Sequence, residues 1–187
     1  IDQIMHYFDL AKDVQLSALD TSAYNTVSIA GEEFCFPSGK EAFIEQFSTR
    51  FPKERDSIKK YVEIIESIAS ASSLNSLTSS NRDVAIDSDY FTRSMDSVLD
   101  ELFEDELLKN VLAGDIPLYA GERRKTPFSQ HAFIMDHYNS SAFRIVGGSD
   151  SIAKSLAKNI RNAGGEIFAN KKVVKIHCDE SAATGVE

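Results

Sequence analysis

Nothing in this sequence approaches the roughly 20 consecutive apolar residues that a membrane-crossing helix requires. The start at Ile1–Asp2–Gln3 shows neither the basic stretch nor the apolar stretch of a secretory leader. Cysteine is scarce. Cys35 and Cys178 are the only two, too few for a disulfide framework, and neither belongs to a C-x-x-C pair of the kind that binds zinc or cycles redox electrons. They read as reduced thiols of a cytoplasmic protein. Positive charge is also in short supply. A formal net charge of −9 argues against a nucleic-acid partner, because phosphate binding needs clustered Lys and Arg. Three signatures are missing as well: no G-x-G-x-x-G, no G-x-x-x-x-G-K and no G-x-S-x-G occurs, so the usual dinucleotide, nucleotide-phosphate and serine-hydrolase motifs have no carrier here.

What is present is ordinary globular material: 42% hydrophobic residues over 187 positions, enough for one good core or two small ones. Val14–Asp20 and Asn25–Ala30 are rich in strand formers, and Gly31–Glu33 reads as a hairpin turn into Phe34–Phe36. Pro37 closes that strand. Ser38 with Glu41 three residues on has the form of a capping box for a helix over Gly39–Arg50. Pro52 suits the first turn of the next helix, where Ile58, Tyr61, Val62, Ile65, Ile68 and Ala69 fall on one face. Ala69–Ser80, rich in Ser and Asn, reads as a helix end and a mobile loop. Further helices carry Met95, Val98, Leu99 and Leu102, then Leu107, Leu108, Val111 and Leu112 up to Gly114. Asp115–Lys125 reads as a loop, and Pro127 opens a helix to about Asn139.

The pattern then changes. A strand at Phe143–Val146 runs into Gly147–Gly148 and a helix with Ile152, Leu156 and Ile160 facing inward. Gly164–Gly165 stops that helix. Strands are expected at Glu166–Ala169 and Val173–Cys178, with a hairpin partner in Ala182–Glu187. Ending inside a strand pattern and beginning without Met, the sequence reads as an internal segment. Gly147–Gly148 before a helix could meet an anion, although glycines more often only permit a sharp turn. His131, Asp136 and His137 are the nearest approach to a metal set. On a helix His131 and His137 point about 120° apart, so the metal prediction is none. No carboxylate pair has a spacing that assigns acid and base roles, and the catalytic residues stay unknown.

The stretch from Phe143 through Gly147–Gly148 to Leu156, followed by Ala163–Gly164–Gly165–Glu166–Ile167 and Val173–Ile176, resembles an internal block of flavin amine oxidases, phytoene desaturases and retinol saturases. Upstream, Phe36–Pro37–Ser38–Gly39, Arg50–Phe51–Pro52–Lys53–Glu54, Lys60–Tyr61–Val62–Glu63 and Thr126–Ser129 resemble the desaturase–saturase branch, that is, the carotenoid oxidoreductase group. The strand and turn signals followed by amphipathic helices predict an α+β fold in which strands from about Val14 to Phe36 pair in an antiparallel sheet covered by helices; the resemblance makes this the substrate-side domain, over 1–140. It also implies a strand–helix–strand unit over 141–187 that returns to an FAD-binding domain whose flanking parts lie outside this sequence.

The function implied is the central part of an FAD-dependent oxidoreductase acting on a polyene or isoprenoid-like apolar substrate. FAD would be held by the parent and not tightly by this segment. Val173 is the one cofactor contact that carries over, through its backbone facing the adenine end. Also implied are self-association through the surface facing the missing domain, and a cytoplasmic parent that can lie peripheral to a membrane. An amine-oxidase-like enzyme and a non-catalytic interaction module of the same fold are the alternatives.

Overall fold

The computed structural model describes residues 2–70 and 89–187. Residues 71–80 of the Ser/Asn-rich segment lie outside the described residues, and helix continues up to Ser70. In chain order the elements are helix α1 (Asp2–Tyr7), strands β1 (Leu16–Ala18), β2 (Asn25–Ile29) and β3 (Glu32–Phe36), and helix α2 (Lys40–Arg50). A 3₁₀ turn at Pro52–Glu54 leads into α3 (Arg55–Ser70). Helices α4 (Asp89–Thr92), α5 (Met95–Leu102) and α6 (Glu106–Leu112), a 3₁₀ segment at Ala113–Tyr119, and α7 (Phe128–Ser140) follow. The chain closes with β4 (Phe143–Ile145), α8 (Asp150–Asn162), β5 (Ile176–Cys178) and β6 (Ala183–Val186). This is an α+β protein of helices and small two-stranded sheets. Two compact units divide it: Ala18–Arg144, and the residues up to Ser17 together with Ile145–Glu187.

In the Ala18–Arg144 unit, the apolar stripe of α3 is buried throughout: Ile58, Tyr61, Val62, Ile65, Ile68 and Ala69 are each at most 3% exposed. Burying side chains of this size is worth about 1.5–3 kcal/mol apiece, which makes this helix the axis of the core. Phe36, Phe43, Phe47, Phe103 and Phe128 pack around it, with Tyr61 edge-on to Phe103 and Phe128. The β2–β3 hairpin brings Phe34 and Phe36 to the same core through the register Val27 to Phe34 and Asn25 to Phe36.

Several local expectations are corrected here. The hairpin turn is Ala30–Gly31, not Gly31–Glu33, because Ile29 pairs directly with Glu32 and both loop residues take positive φ, 55° and 82°. That is the handedness a two-residue hairpin loop demands. The strand expected at Val14–Asp20 does not join β2. β1 pairs with β4 instead. Ser38 does not cap α2: Gly39 occupies the N-cap at φ 97°, with no side-chain cap bond, while the Ser38 and Gly39 amides donate to Thr21 and Asn139 carbonyls. The effective caps lie later, where Ser94 accepts from the Ser97 amide and Asp105 from the Leu108 amide. Glu54 accepts from the Glu104 and Asp105 amides at 2.8 and 2.7 Å and so ties the start of α3 to the α5–α6 link. Finally, Gly114 does not end the helical run. The chain tightens into 3₁₀ over Ala113–Tyr119, the first part of what the sequence presents as a loop.

In the other unit, Met5, Leu10 and Val14 form a small core against Leu16, Ile145, Ile152 and Leu156. Gly147 and Gly148 both take positive φ, 80° and 96°, between β4 and α8, as a sharp strand-to-helix turn needs. Asp13 anchors α8 by accepting from Ser155 Oγ and Lys158 Nζ. Ile160 does not face inward: it is 43% exposed, one turn beyond the reach of the small core. The helix ends in a Schellman arrangement, Gly165 N–H to Ile160 C=O and Gly164 N–H to Arg161 C=O, with Gly164 at φ 81°.

Downstream, Glu166–Ala169 is not a strand and Val173–Cys178 narrows to Ile176–Cys178. A strand exists only where a partner takes its amides, and β6 supplies one only for β5 and its edge, with the Val174 amide donating to the Glu187 carbonyl. The hairpin partner expected in Ala182–Glu187 is present as β6.

Candidate functional site

The polar chemistry of the Ala18–Arg144 unit is concentrated inside its core. His131 projects from α7 with 0% exposure, beside Tyr61 on the apolar stripe of α3. Its Nε2 lies 2.7 Å from the Tyr61 hydroxyl and its Nδ1 3.0 Å from the Tyr119 hydroxyl. The Tyr119 hydroxyl also donates to the Met95 sulfur at 3.9 Å. Since a hydroxyl has one hydrogen, Tyr119 accepts from His131 Nδ1–H. Burial, with no counter-charge in contact, pushes the His131 pKa down to about 3 and keeps the ring neutral, so Nε2 is an acceptor for the Tyr61 hydroxyl. Burial likewise drives the Tyr61 and Tyr119 hydroxyls upward, away from ionisation.

Asp115, on the same 3₁₀ segment as Tyr119, is 1% exposed. Its Oδ1 accepts from the Asn25 side-chain amide, and its Oδ2 has no partner, nor does the buried Tyr24 hydroxyl. Burial raises the Asp115 carboxyl to about 6 against the opposing effect of the Asn25 bond. The sequence reading missed this group. Tyr61 looks like one more member of an apolar stripe, and only the tertiary fold shows that its hydroxyl finds His131. In the sequence, His131 stands out only as one of a loose set with Asp136 and His137. The structure parts them: His137 Nδ1 bonds the Phe133 carbonyl one turn back. Among the described residues no group of three or more His, Cys, Asp and Glu could hold a metal ion.

An open cleft of about 790 Å³ lies between the Pro52–Glu54 turn and the α5–α6 link, with Arg50, Lys53, Glu101, Glu104 and Asp105 in its lining. Its charged wall suits polar contacts and not an apolar chain.

In the other unit, Val173 sits in an irregular stretch just before the β5–β6 ladder and is 54% exposed. Ile167, Phe168, Val174, Ile176 and Val186 around it in sequence are also exposed. The Gly147–Gly148 turn is a poor pyrophosphate cradle. The Gly148 amide donates to the Ile145 carbonyl, and the Asp150 carboxylate, paired with Lys154, already occupies the first turn. A second anion at this turn would meet repulsion from the Asp150 carboxylate.

No protein-family profile matches the chain. Comparison with curated proteins is more informative. All-trans-retinol 13,14-reductase of Rattus norvegicus is 29% identical over 170 residues, covering 83% of this chain and 28% of that protein. The human protein of the same name is 27% identical over 170 residues, with the same coverage, and that of Danio rerio is 27% identical over 171 residues, 80% of this chain and 27% of that protein. The chain is similar to the retinol saturase group. The resemblance read from the motifs therefore holds across most of the sequence. The chain spans about 28% of the length of the curated relatives it matches.

Proposed function

We propose that this chain is the central, substrate-side part of an FAD-dependent oxidoreductase acting on a polyene or isoprenoid-like apolar substrate, of which all-trans-retinol is the model. The observation that carries the reading is the alignment over 83% of the chain with proteins named as retinol reductases. In this reading residues 1–140 form the substrate-side domain and 141–187 the return toward the flavin domain. FAD, when bound in the parent, supplies the two-electron chemistry. The G-x-G-x-x-G cradle that is absent from this sequence belongs to the parent's flavin domain, and the exposed Val173 lies with its backbone against the adenine end. The apolar run from Ile167 to Val186, exposed here, is covered in the parent and makes the chain alone prone to self-association. No helix among the described residues is long and apolar enough to cross a membrane.

The test uses full-length, flavin-loaded protein with all-trans-retinol and a chemical reductant under anaerobic conditions. Two electrons from the reductant and two protons add across one carbon–carbon double bond. The expected result is a blue-shifted polyene spectrum and a product two mass units heavier. An unaltered polyene in the presence of reduced, protein-bound flavin would contradict the substrate assignment.

A further inference from the structure

The 3₁₀ segment Ala113–Tyr119 has features that set it apart from the rest of the core. At seven residues it is longer than 3₁₀ runs usually extend, and such stretches often mark hinges. It lies at the surface on one side, where Leu118 is 57% exposed, while Asp115 and Ile116 are buried on the other. Its near end is wedged under β2, where a Cβ on Gly114 would come within 2.6 Å of Val27. Its far end turns out through Ala120 at φ 52°, closed by the Gly121 amide on the Ile116 carbonyl. Inside, it is fastened by the side chains of Asp115, to Asn25, and of Tyr119, to His131.

One of those two fastenings is protonation-dependent. A neutral Asp115 carboxyl loses far less than a carboxylate on burial with one amide donor. A carboxylate in the same place has one donor, one bare oxygen and no cation among the described residues that pairs with it. The titratable groups that face it are Tyr24 ahead of β2, Tyr61 on α3 and Tyr119 on its own segment, with His131 of α7 bonded to the last two. None is positively charged near neutral pH, so none offsets the buried charge.

We propose that Ala113–Tyr119 is a pH-sensitive latch, shut while the Asp115 carboxyl is neutral and loosened when it ionises, opening the Tyr61–His131–Tyr119 group to water. Release lets the carboxylate reach solvent and costs the Tyr119–His131 bond. The sign follows from the raised carboxyl: the closed state gains protons relative to the open one, so closure is favoured at low pH and lost as pH rises from the ordinary aspartate range through about 6.

The experiment is amide hydrogen exchange on the full chain at about pH 5 and about pH 7.5, corrected for the intrinsic pH dependence of exchange. The ratio of Ala120 and Gly121 amide protection in the wild type to that in Asp115→Asn should fall about ten-fold between the two pH values, the His131 contribution being common to both proteins. Equal changes in both proteins would overturn the proposal. Should Asp115→Asn fail to fold, ¹³C-carboxyl titration of the wild type decides: a midpoint near 6 for Asp115 supports the latch, and one near the ordinary aspartate value rules it out.

Discussion

The ring of His131 stays neutral because it is sealed between two tyrosine hydroxyls, whereas the Asp115 carboxyl resists ionisation because it is sealed with too few donors. These two residues oppose each other in their effect on stability. His131, with its pKa lowered from 6.5 to about 3, contributes stability that is present above 6.5 and lost as pH falls toward 3. Asp115, raised from 3.8 to about 6, contributes stability that is present below 3.8 and lost as pH rises through 6. Between those limits the two slopes offset, so a wild-type profile alone would look flat. Single variants separate them. In urea unfolding, Asp115→Asn should lose stability steadily on acidification below pH 6.5, and His131→Gln should lose it as pH rises from about 4 to 6. Profiles of both variants that parallel the wild type would show that neither residue titrates as its burial requires.

Among the elements, the β2–β3 hairpin carries the clearest local strain. Ala30 holds φ 55° in a two-residue turn beside Gly31, a conformation that disfavours a residue with Cβ by about 1–2 kcal/mol. Ala30→Gly should raise stability by up to about 1 kcal/mol, after the entropy glycine loses on folding. Chemical denaturation showing a loss instead would mean that the turn draws on contacts of the Ala30 methyl.

The same scale shows what could be read in advance. The α3 stripe and the helix with its Gly164 stop were legible because their signals are local: a 3.6-residue apolar period and a glycine at a left-handed cap. Ser38 failed as a capping box because the Thr21 carbonyl takes the Ser38 amide that the Glu41 side chain would have accepted. Glu166–Ala169 failed as a strand because β-branched and aromatic residues describe a surface that can pair, and pairing needs a neighbour. The buried Tyr–His–Tyr group was illegible for a like reason: its members lie on α3, α7 and the 3₁₀ segment, and no spacing in the sequence links them.

At the scale of the molecule, the two units are unequally provided. The Ala18–Arg144 unit closes around a core dominated by phenylalanine and aliphatic side chains. The other has Met5, Leu10 and Val14 as its fully buried core and leaves Phe168, Val173, Val174, Ile176 and Val186 more than half exposed. Single exposed apolar residues are unremarkable in any protein, but a run of this kind on one terminal segment calls for a cover. The oxidoreductase reading supplies that cover as a flavin domain, and the similarity to retinol reductases, which reaches only about 28% of their length, is consistent with it.

The central claim is that the parent is a flavoprotein whose cofactor is held mainly outside these 187 residues. The most direct measurement is flavin binding, by absorbance of the purified full-length protein and by FAD titration of this chain beside it. The account predicts bound flavin in the full-length protein and no binding at micromolar concentration by the chain, whose sequence carries no G-x-G-x-x-G motif. A full-length protein that takes up no flavin, or a chain that binds FAD at micromolar affinity or tighter, would contradict it.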